Sequence, residues 1–248
     1  MYENVAFCSG GKDSVATVIV AKQRGQPLDA VVFCEVMFDK DTSGEHPLHR
    51  DFVFEKLKPF VEQEIGVPFI VLHSDKTYVD FFRHIITKGA GKGMMHGFPI
   101  PGMCSINRDC KLKPIRDFLK THGKDIERQY VGIATDEPIR LERLTGNKVS
   151  LLAKYGITEK QAKEICEKAG LLSPIYEISQ RNGCWFCMNC RESEWVYLLK
   201  NHPELFDRLV ELEQENPQRF RRCLTRTETP TQIRRGLEVI TNQISIFD

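Results

Sequence analysis

Apolar residues fall into two kinds of segment along this chain: short unbroken runs, and longer stretches in which they return every three or four positions. The run Val5-Ala6-Phe7-Cys8 predicts a strand over residues 4–8, and Val15, Val18 and Ile19 set the period of a helix over 13–24. A longer apolar run predicts a strand over 30–38, after which Phe52, Leu57, Phe60, Val61 and Ile65 mark a helix over 50–65. A short buried strand at 68–72, a helix over 77–87 and a further central strand at 130–134 continue the alternation. Strands without a polar face, separated by helices, predict an α/β fold, a doubly wound and mostly parallel sheet covered on both sides. Ligands in such folds lie beyond the carboxyl ends of the strands.

Two later regions depart from that alternation. Between 88 and 102 glycine and proline are too dense for a helix or a central strand, so a mobile loop is expected, with Lys92 and His96 placed to touch phosphate or substrate. Further on, Thr158 and Gln161 form the signature of a capped helix over 158–169, whose inner face of Ala162, Ile165, Cys166 and Ala169 assigns Cys166 to the core. Helices over 192–200 and 203–215 follow, with Trp195, Leu198, Leu199, Leu205, Phe206, Leu209 and Leu212 on their apolar face.

At 248 residues and 41% hydrophobic, the chain has material for one substantial core and a smaller appended unit. No apolar run approaches the roughly 20 residues that span a bilayer, and the N-terminus lacks a charged-then-apolar signal layout. A cytoplasmic protein without a membrane partner is expected, and in a reducing compartment its nine cysteines are thiols or metal ligands rather than disulfides. The net charge of +1 gives no global signature of polyanion binding. Locally, Arg219, Arg221, Arg222, Arg226, Arg234 and Arg235 crowd around Phe220, either as a solvated face balanced by Glu211, Glu213, Glu215 and Glu228 or as a phosphate-backbone patch.

The loop after the first strand reads Ser9-Gly10-Gly11-Lys12-Asp13-Ser14. Its glycines let backbone N–H groups approach an anion, and the helix start adds partial positive charge. Lys12 supplies a mobile cation for phosphate oxygens, Ser9 and Ser14 supply hydroxyls, and Asp13 supplies a carboxylate for the Mg²⁺ that accompanies a triphosphate. A capped glycine turn needs neither the lysine nor both serines. The spacing is not that of the Walker loop. It resembles the PP-loop of the N-type ATP pyrophosphatases, S-G-G-x-D-S, and the resemblance implies ATP cleaved between its α- and β-phosphates, leaving an adenylated substrate and pyrophosphate.

The second motif is Gly183-Cys184-Trp-Phe-Cys187-Met-Asn-Cys190. Three cysteines at this spacing place three thiolates around one point, as tetrahedral Zn²⁺ or an iron–sulfur cluster requires. A fourth ligand comes from elsewhere, and Cys104 and Cys110 are the candidates; six residues apart, they do not share a helix face, and the sequence does not choose between them. Cys8 and Cys34 lie within apolar strands and read as packing residues. The expected organisation is a nucleotide-binding α/β domain over 1–178 and, over 179–248, a small helical appendage carrying the cysteine cluster.

The order of PP-loop, Cys110-Lys111-Leu-Lys113-Pro114-Ile115, Gly132-Ile-Ala-Thr-Asp136-Glu137-Pro-Ile-Arg140 and Gly183-Cys-Trp-Phe-Cys187 is similar to that of the phosphoadenosine phosphosulfate reductase-like family, from about residue 5 to 212. The resemblance implies an adenine nucleotide alpha hydrolase-like fold. It also implies that Asp136 and Glu137 lie beside the nucleotide and that Arg140 acts with Lys12 and Asp13. Two departures bear on the activity. The reductases carry a catalytic cysteine in a C-terminal Glu-Cys-Gly-type motif, which this chain lacks, and Cys223 has none of the flanking pattern; they also have an altered phosphate loop, whereas this one is complete. The relatives left are adenylating sulfurtransferases that thiolate tRNA or place phosphorothioate in DNA. Resemblance to them implies ATP, Mg²⁺, a [4Fe-4S] cluster, a nucleic-acid acceptor and a cysteine desulfurase as sulfur donor. The alternatives are a sulfonucleotide reductase, a zinc-containing ligase of the 7-cyano-7-deazaguanine synthase type, and a subunit that binds ATP without cleaving it.

Overall fold

The structure, a computed structural model, describes residues 2–99 and 104–244, with side chains of the last helix to residue 239. In chain order the elements are β1 (Asn4–Phe7), α1 (Lys12–Gln23), β2 (Ala30–Cys34), α2 (Pro47–Phe52), β3 (Phe69–Leu72), α3 (Tyr78–Arg83), α4 (Lys113–His122), β4 (Arg128–Val131), α5 (Pro138–Leu141), β5 (Lys148–Val149), α6 (Leu151–Lys154), α7 (Glu159–Lys168), α8 (Glu192–Asn201), α9 (Pro203–Glu215) and α10 (Pro230–Ile244). They group into two compact units. The first comprises Met1–Glu35, His46–His73 and Lys113–Asn182; the second comprises Val36–Glu45, Ser74–Leu112 and Gly183–Asp248.

All five strands belong to the first unit, ordered β3-β2-β1-β4-β5, and every pairing is parallel. The doubly wound α/β sheet is therefore present. Strand alternation divides its side chains between two cores. Ala6, Cys8, Val31, Phe33 and Phe69 face one, with α1, α7 and the helix begun by α2, whereas Val5, Phe7, Val32, Ile70 and Leu72 face the other, with Phe118 and Leu119 of α4. α1 is buried without interruption from Val15 to Ala21, as a helix enclosed on all sides must be. Cys8, Cys34 and Cys166 are buried, as packing residues should be.

The helix expected over 50–65 begins earlier, at Pro47, and continues beyond α2 as wider turns over Val53–Leu57 and Phe60–Ile65, ending at Gly66 with φ 80°. Pro47 supplies the fixed φ favoured at a helix start, and Pro59, lacking an N–H, cannot complete the regular ladder. β4 spans Arg128–Val131, offset from the expected 130–134, because the chain must reach Gly132 at its carboxyl end. The apolar run 30–38 is divided: β2 stops pairing at Cys34, opposite Leu72, while Val36 and Phe38 enter the core of the second unit.

That second core gathers Tyr78, Phe82, Phe98, Trp185, Phe186 and Trp195 with Phe206, Leu209 and Leu212 of α9. The expected helices 192–200 and 203–215 are α8 and α9. α3 ends at Arg83 rather than at 87, because His84 turns to ψ 130° and the chain is drawn into hydrogen bonds with the segment behind it. His96 N donates to His84 O at 2.8 Å, Gly97 N to Phe82 O at 2.9 Å, and Phe220 N to Met95 O at 2.8 Å. The stretch 88–99 is thus a hydrogen-bonded reversal rather than the mobile loop expected; residues 100–102 of that loop lie outside the described residues. Among the described residues no helix is long and apolar enough to cross a membrane.

α7 begins with the capping box read from the sequence: Gln161 N donates to Thr158 Oγ1 at 3.3 Å, and Thr158 N to Gln161 Oε1 at 2.9 Å. Thr158→Ala should lower unfolding stability by about 1 kcal/mol, seen in urea titration as a reduced midpoint with an unchanged slope.

Candidate functional site

The loop 9–14 leaves the carboxyl end of β1, where the strand order reverses between β2 and β4. Gly10 takes φ 76°, and a Cβ there would lie 2.7 Å from both His49 Cε1 and Val53 Cγ2, so glycine is required on both counts. The loop is held from behind. Ser9 O accepts from Asn182 Nδ2 at 2.9 Å and from His49 Nε2 at 2.9 Å, and the Nδ1 of this buried ring lies 2.9 Å from Ser173 Oγ. Ser14 Oγ receives Ser9 N at 3.2 Å and donates to Gly11 O at 2.9 Å. α1 starts at Gly11 without a side-chain cap, which leaves its first turn open to an anion, although Lys12 N already donates to Tyr176 Oη at 2.9 Å.

Gly132 closes the other side. A Cβ on it would lie 2.5 Å from Ser14 N and 2.7 Å from Asp13 C, so the chain leaving β4 touches the start of α1 directly.

Lys12 Nζ bridges Asp13 Oδ1 at 2.9 Å and Glu159 Oε1 at 2.6 Å. Burial by itself lowers the Lys12 ammonium, but its bonds to Glu159 and Asp13 outweigh that and its pKa is raised. Burial raises the Asp13 carboxyl, and Lys12 offsets only part of this. Carboxylate oxygens of Asp13, Glu137 and Glu159 lie within 4.8 Å of one another, a spacing suited to an oxygen-liking cation. Glu137 also accepts from Ala134 N at 3.0 Å and pairs with Arg140. Asp136 stands one step back, accepting from Glu159 N at 3.0 Å and so fixing the start of α7. Ser9, Gly11, Lys12, Asp13, Ser14, Arg140, Glu159 and Tyr176 line an open cleft of about 290 Å³. Glu159, Tyr176, Asn182 and His49 were not marked by any local motif. Glu159 alone carried a signal, as the acid following a capping threonine.

The five candidate ligand cysteines, Cys104, Cys110, Cys184, Cys187 and Cys190, belong to the second unit. Cys104 is exposed and Cys110 buried; the Cys110 thiol donates to Lys76 O at 3.2 Å, and burial pushes its pKa up to about 11. Cys184, Cys187 and Cys190 follow one another through turns, Cys187 N to Cys184 O at 3.0 Å and Cys190 N to Cys187 O at 2.9 Å. The Cys190 thiol points back at Cys184 O, 3.5 Å away. Burial raises the Cys184 thiol well above its usual range, and the charges of Glu45, Cys187 and Cys104 act on it. Burial likewise raises the Tyr78 hydroxyl, and the charges of Cys187, Cys184 and Cys104 add to it. Glu45, bridged to Cys184, and Tyr78, packed on Phe186, each leave a buried polar atom without a hydrogen-bond partner, Glu45 Oε2 and Tyr78 Oη, and such orphaned groups beside half-buried thiols fit a soft metal centre.

The arginine-rich tail separates by role. Arg219 is buried, donating to Glu213 O at 2.6 Å and Arg222 O at 2.8 Å, with its guanidinium 5.2 Å over Phe98. Arg234 pairs with Asp207 and, at 3.1 Å, with Glu238. Arg221, Arg222 and Arg226 surround a cleft of about 380 Å³ with Phe220, Cys223 and Thr225.

No family model matches the chain. An uncharacterised protein of Methanocaldococcus jannaschii is 23% identical over 218 residues, which cover 84% of this chain and 47% of that protein. The chain thus spans about half the length of this curated relative. Among solved structures, the U34-tRNA thiolase NcsA from Methanococcus maripaludis with its [4Fe-4S] cluster aligns over 96% of this chain and 71% of its own, at 16% identity and a TM-score of 0.42, too low to transfer residues between the two.

Gly132→Ala should destabilise the fold by about 1–3 kcal/mol through overpacking and, if the loop takes ATP as the sequence leads one to expect, weaken that binding in calorimetry. Gly236→Ala, where nothing lies within 4 Å, should leave binding unchanged. In metal-stripped protein at pH 8, iodoacetamide should modify exposed Cys104 long before buried Cys166, whose pKa of about 12 leaves roughly one thiolate in 10,000; peptide mass mapping reads the order.

Proposed function

We propose that the chain is an ATP-using, adenylating sulfurtransferase acting on a nucleic-acid acceptor, tRNA or DNA. The observation that carries this reading is the PP-loop at the switch point of a parallel sheet, with an uncapped helix start and Lys12 held among Asp13, Glu137 and Glu159. In this reading α1's first turn and Lys12 take the phosphates, Lys12 exchanging its carboxylates for phosphate oxygens. The carboxylates so released hold Mg²⁺, and Arg140 turns from Glu137 toward the α-phosphate. An oxygen of the acceptor attacks the α-phosphorus, the bond to the bridging oxygen breaks, and pyrophosphate leaves. Positioning and charge neutralisation carry that step. Sulfide then displaces AMP, its sulfur taking the place of the oxygen that leaves with AMP; a donor of the cysteine desulfurase class, which carries sulfur as a persulfide, would supply that sulfide together with a thiol reductant that is oxidised to the disulfide.

Cys184, Cys187 and Cys190 are the residues that would hold a [4Fe-4S] cluster, or Zn²⁺ in a ligase, with Cys104 and Cys110 as the candidates for a fourth thiol. Such a cluster supplies a soft site for sulfide. Arg221, Arg222 and Arg226 with Phe220 suit the phosphates and bases of an acceptor, since guanidinium groups beside an aromatic face combine charge with stacking.

The test uses anaerobically purified protein, α-labelled ATP, sulfide, and either bulk tRNA or duplex DNA. AMP and pyrophosphate should form only with an acceptor present, together with a thiolated nucleoside or phosphorothioate linkage seen by mass spectrometry. Lys12→Met should reduce the rate by about 100-fold or more, and Cys223→Ser should not abolish it, as it would in a reductase that used that thiol. Release of ADP and phosphate, or no turnover with either nucleic acid, would refute the proposal.

A further inference from the structure

Glu45 is a glutamate in the wrong place for a surface acid. It is 2% exposed, and its backbone pairs with Cys184 in an antiparallel bridge. Trp185 extends that bridge, donating its N to Gly44 O at 3.0 Å and its indole Nε1 to Ser43 O at 2.8 Å, so the carboxylate is fixed beside the first cysteine of the motif. Its Oε1 is weakly served, by Val36 N at 3.4 Å and Lys111 Nζ at 4.0 Å. Its Oε2 is buried with no hydrogen-bond partner.

Tyr78 repeats the problem as a donor. Its ring packs on Phe186, centroids 4.0 Å apart, and Phe186 lies between Cys184 and Cys187 in the chain. Its hydroxyl is also buried without a partner. A buried carboxylate whose ion pair with Lys111 is as long as 4.0 Å is only partly compensated, and thiolates brought next to it add to that cost. A cation at this point removes both penalties at once, and a sulfur atom bound to it offers the tyrosine an acceptor.

We propose that Glu45 is an oxygen ligand of the metal centre held by the Cys184–Cys190 motif, and that the Tyr78 hydroxyl donates to one of that centre's sulfur atoms. A carboxylate among thiolates makes one metal position harder and more exchangeable than the rest. The inference rests on reading the cysteines as a metal centre.

The experiment compares wild type, Glu45→Gln, Glu45→Cys and Tyr78→Phe as full chains purified without oxygen, measuring iron, sulfide and zinc content, metal loss to a chelator, and the electron paramagnetic resonance spectrum after reduction. Circular dichroism reports folding. Glu45→Gln should fold and lose metal about tenfold faster or more, Glu45→Cys should restore retention with shifted g values, and Tyr78→Phe should keep the metal but change its reduction potential. Equal retention and identical spectra in Glu45→Gln would overturn the ligand while leaving the cysteine centre standing. If that variant fails to fold, a Glu45→Cys spectrum and chelator rate identical to wild type overturn it instead. Wild type without metal overturns the centre itself, and the Glu45 ligand with it.

Discussion

The contact between Gly132 and the start of α1 is the constraint on which the candidate site depends. β1 and β4 are neighbours in the sheet, and each sends its following loop over the same edge. Ser14 N and Asp13 C sit where a side chain on residue 132 would be, so the two loops close on each other without a gap. That closeness keeps Lys12 and Asp13 on the same side as Glu137 and Glu159. The rear of the loop is fixed independently, by His49 and Asn182 converging on Ser9 O. A phosphate-binding loop gains affinity only if its amides are already aimed, and here backbone packing in front and hydrogen bonds behind do the aiming.

Much of this was legible in the sequence, for identifiable reasons. β1, α1, β2 and β3 announce themselves because strands buried on both faces carry no polar residues, and the loop 9–14 carries its chemistry in consecutive positions. The Thr158–Gln161 cap was equally plain, since its two partners are three residues apart. What stayed hidden was set by distant contacts. β5 has two residues and no periodicity of its own. Tyr176 and Asn182 reach Lys12 and Ser9 across more than 160 positions, and nothing near them in the chain marks the meeting. The run 30–38 looked like one strand because its apolar residues serve two cores in succession, and hydrophobicity alone does not say where one stops. Glycine and proline between 88 and 99 suggested motion, yet the hydrogen bonds to 82–86 and to 220–221 account for that segment.

The same distinction separates the arginines of the tail. Arg219 reads in sequence like its neighbours, but its guanidinium is buried on three backbone carbonyls and an aromatic ring, a cap for the chain around it rather than a polyanion contact. Burial lowers its pKa, and the nearby Glu213 charge works the other way. Arg221, Arg222 and Arg226 instead line the surface cleft, so a patch of six reduces to the few that a ligand there can meet.

Lys12 ties the electrostatics of the first unit together. Three carboxylates within 4.8 Å would repel one another strongly without it, and its two short bonds to Asp13 and Glu159 neutralise part of that charge. If, as proposed, Lys12 swings to a triphosphate, Asp13 and Glu159 lose their cation, Glu137 being paired with Arg140, and the nucleotide's own Mg²⁺ is of the kind that would replace it. Taken alone, the lysine's departure would leave two acids uncompensated, and a metal arriving first would meet an ammonium already in place. Coupled, each exchange would offset the other's cost, so the proposed site would favour the metal–nucleotide complex over either component, through one side chain that has two mutually exclusive partners.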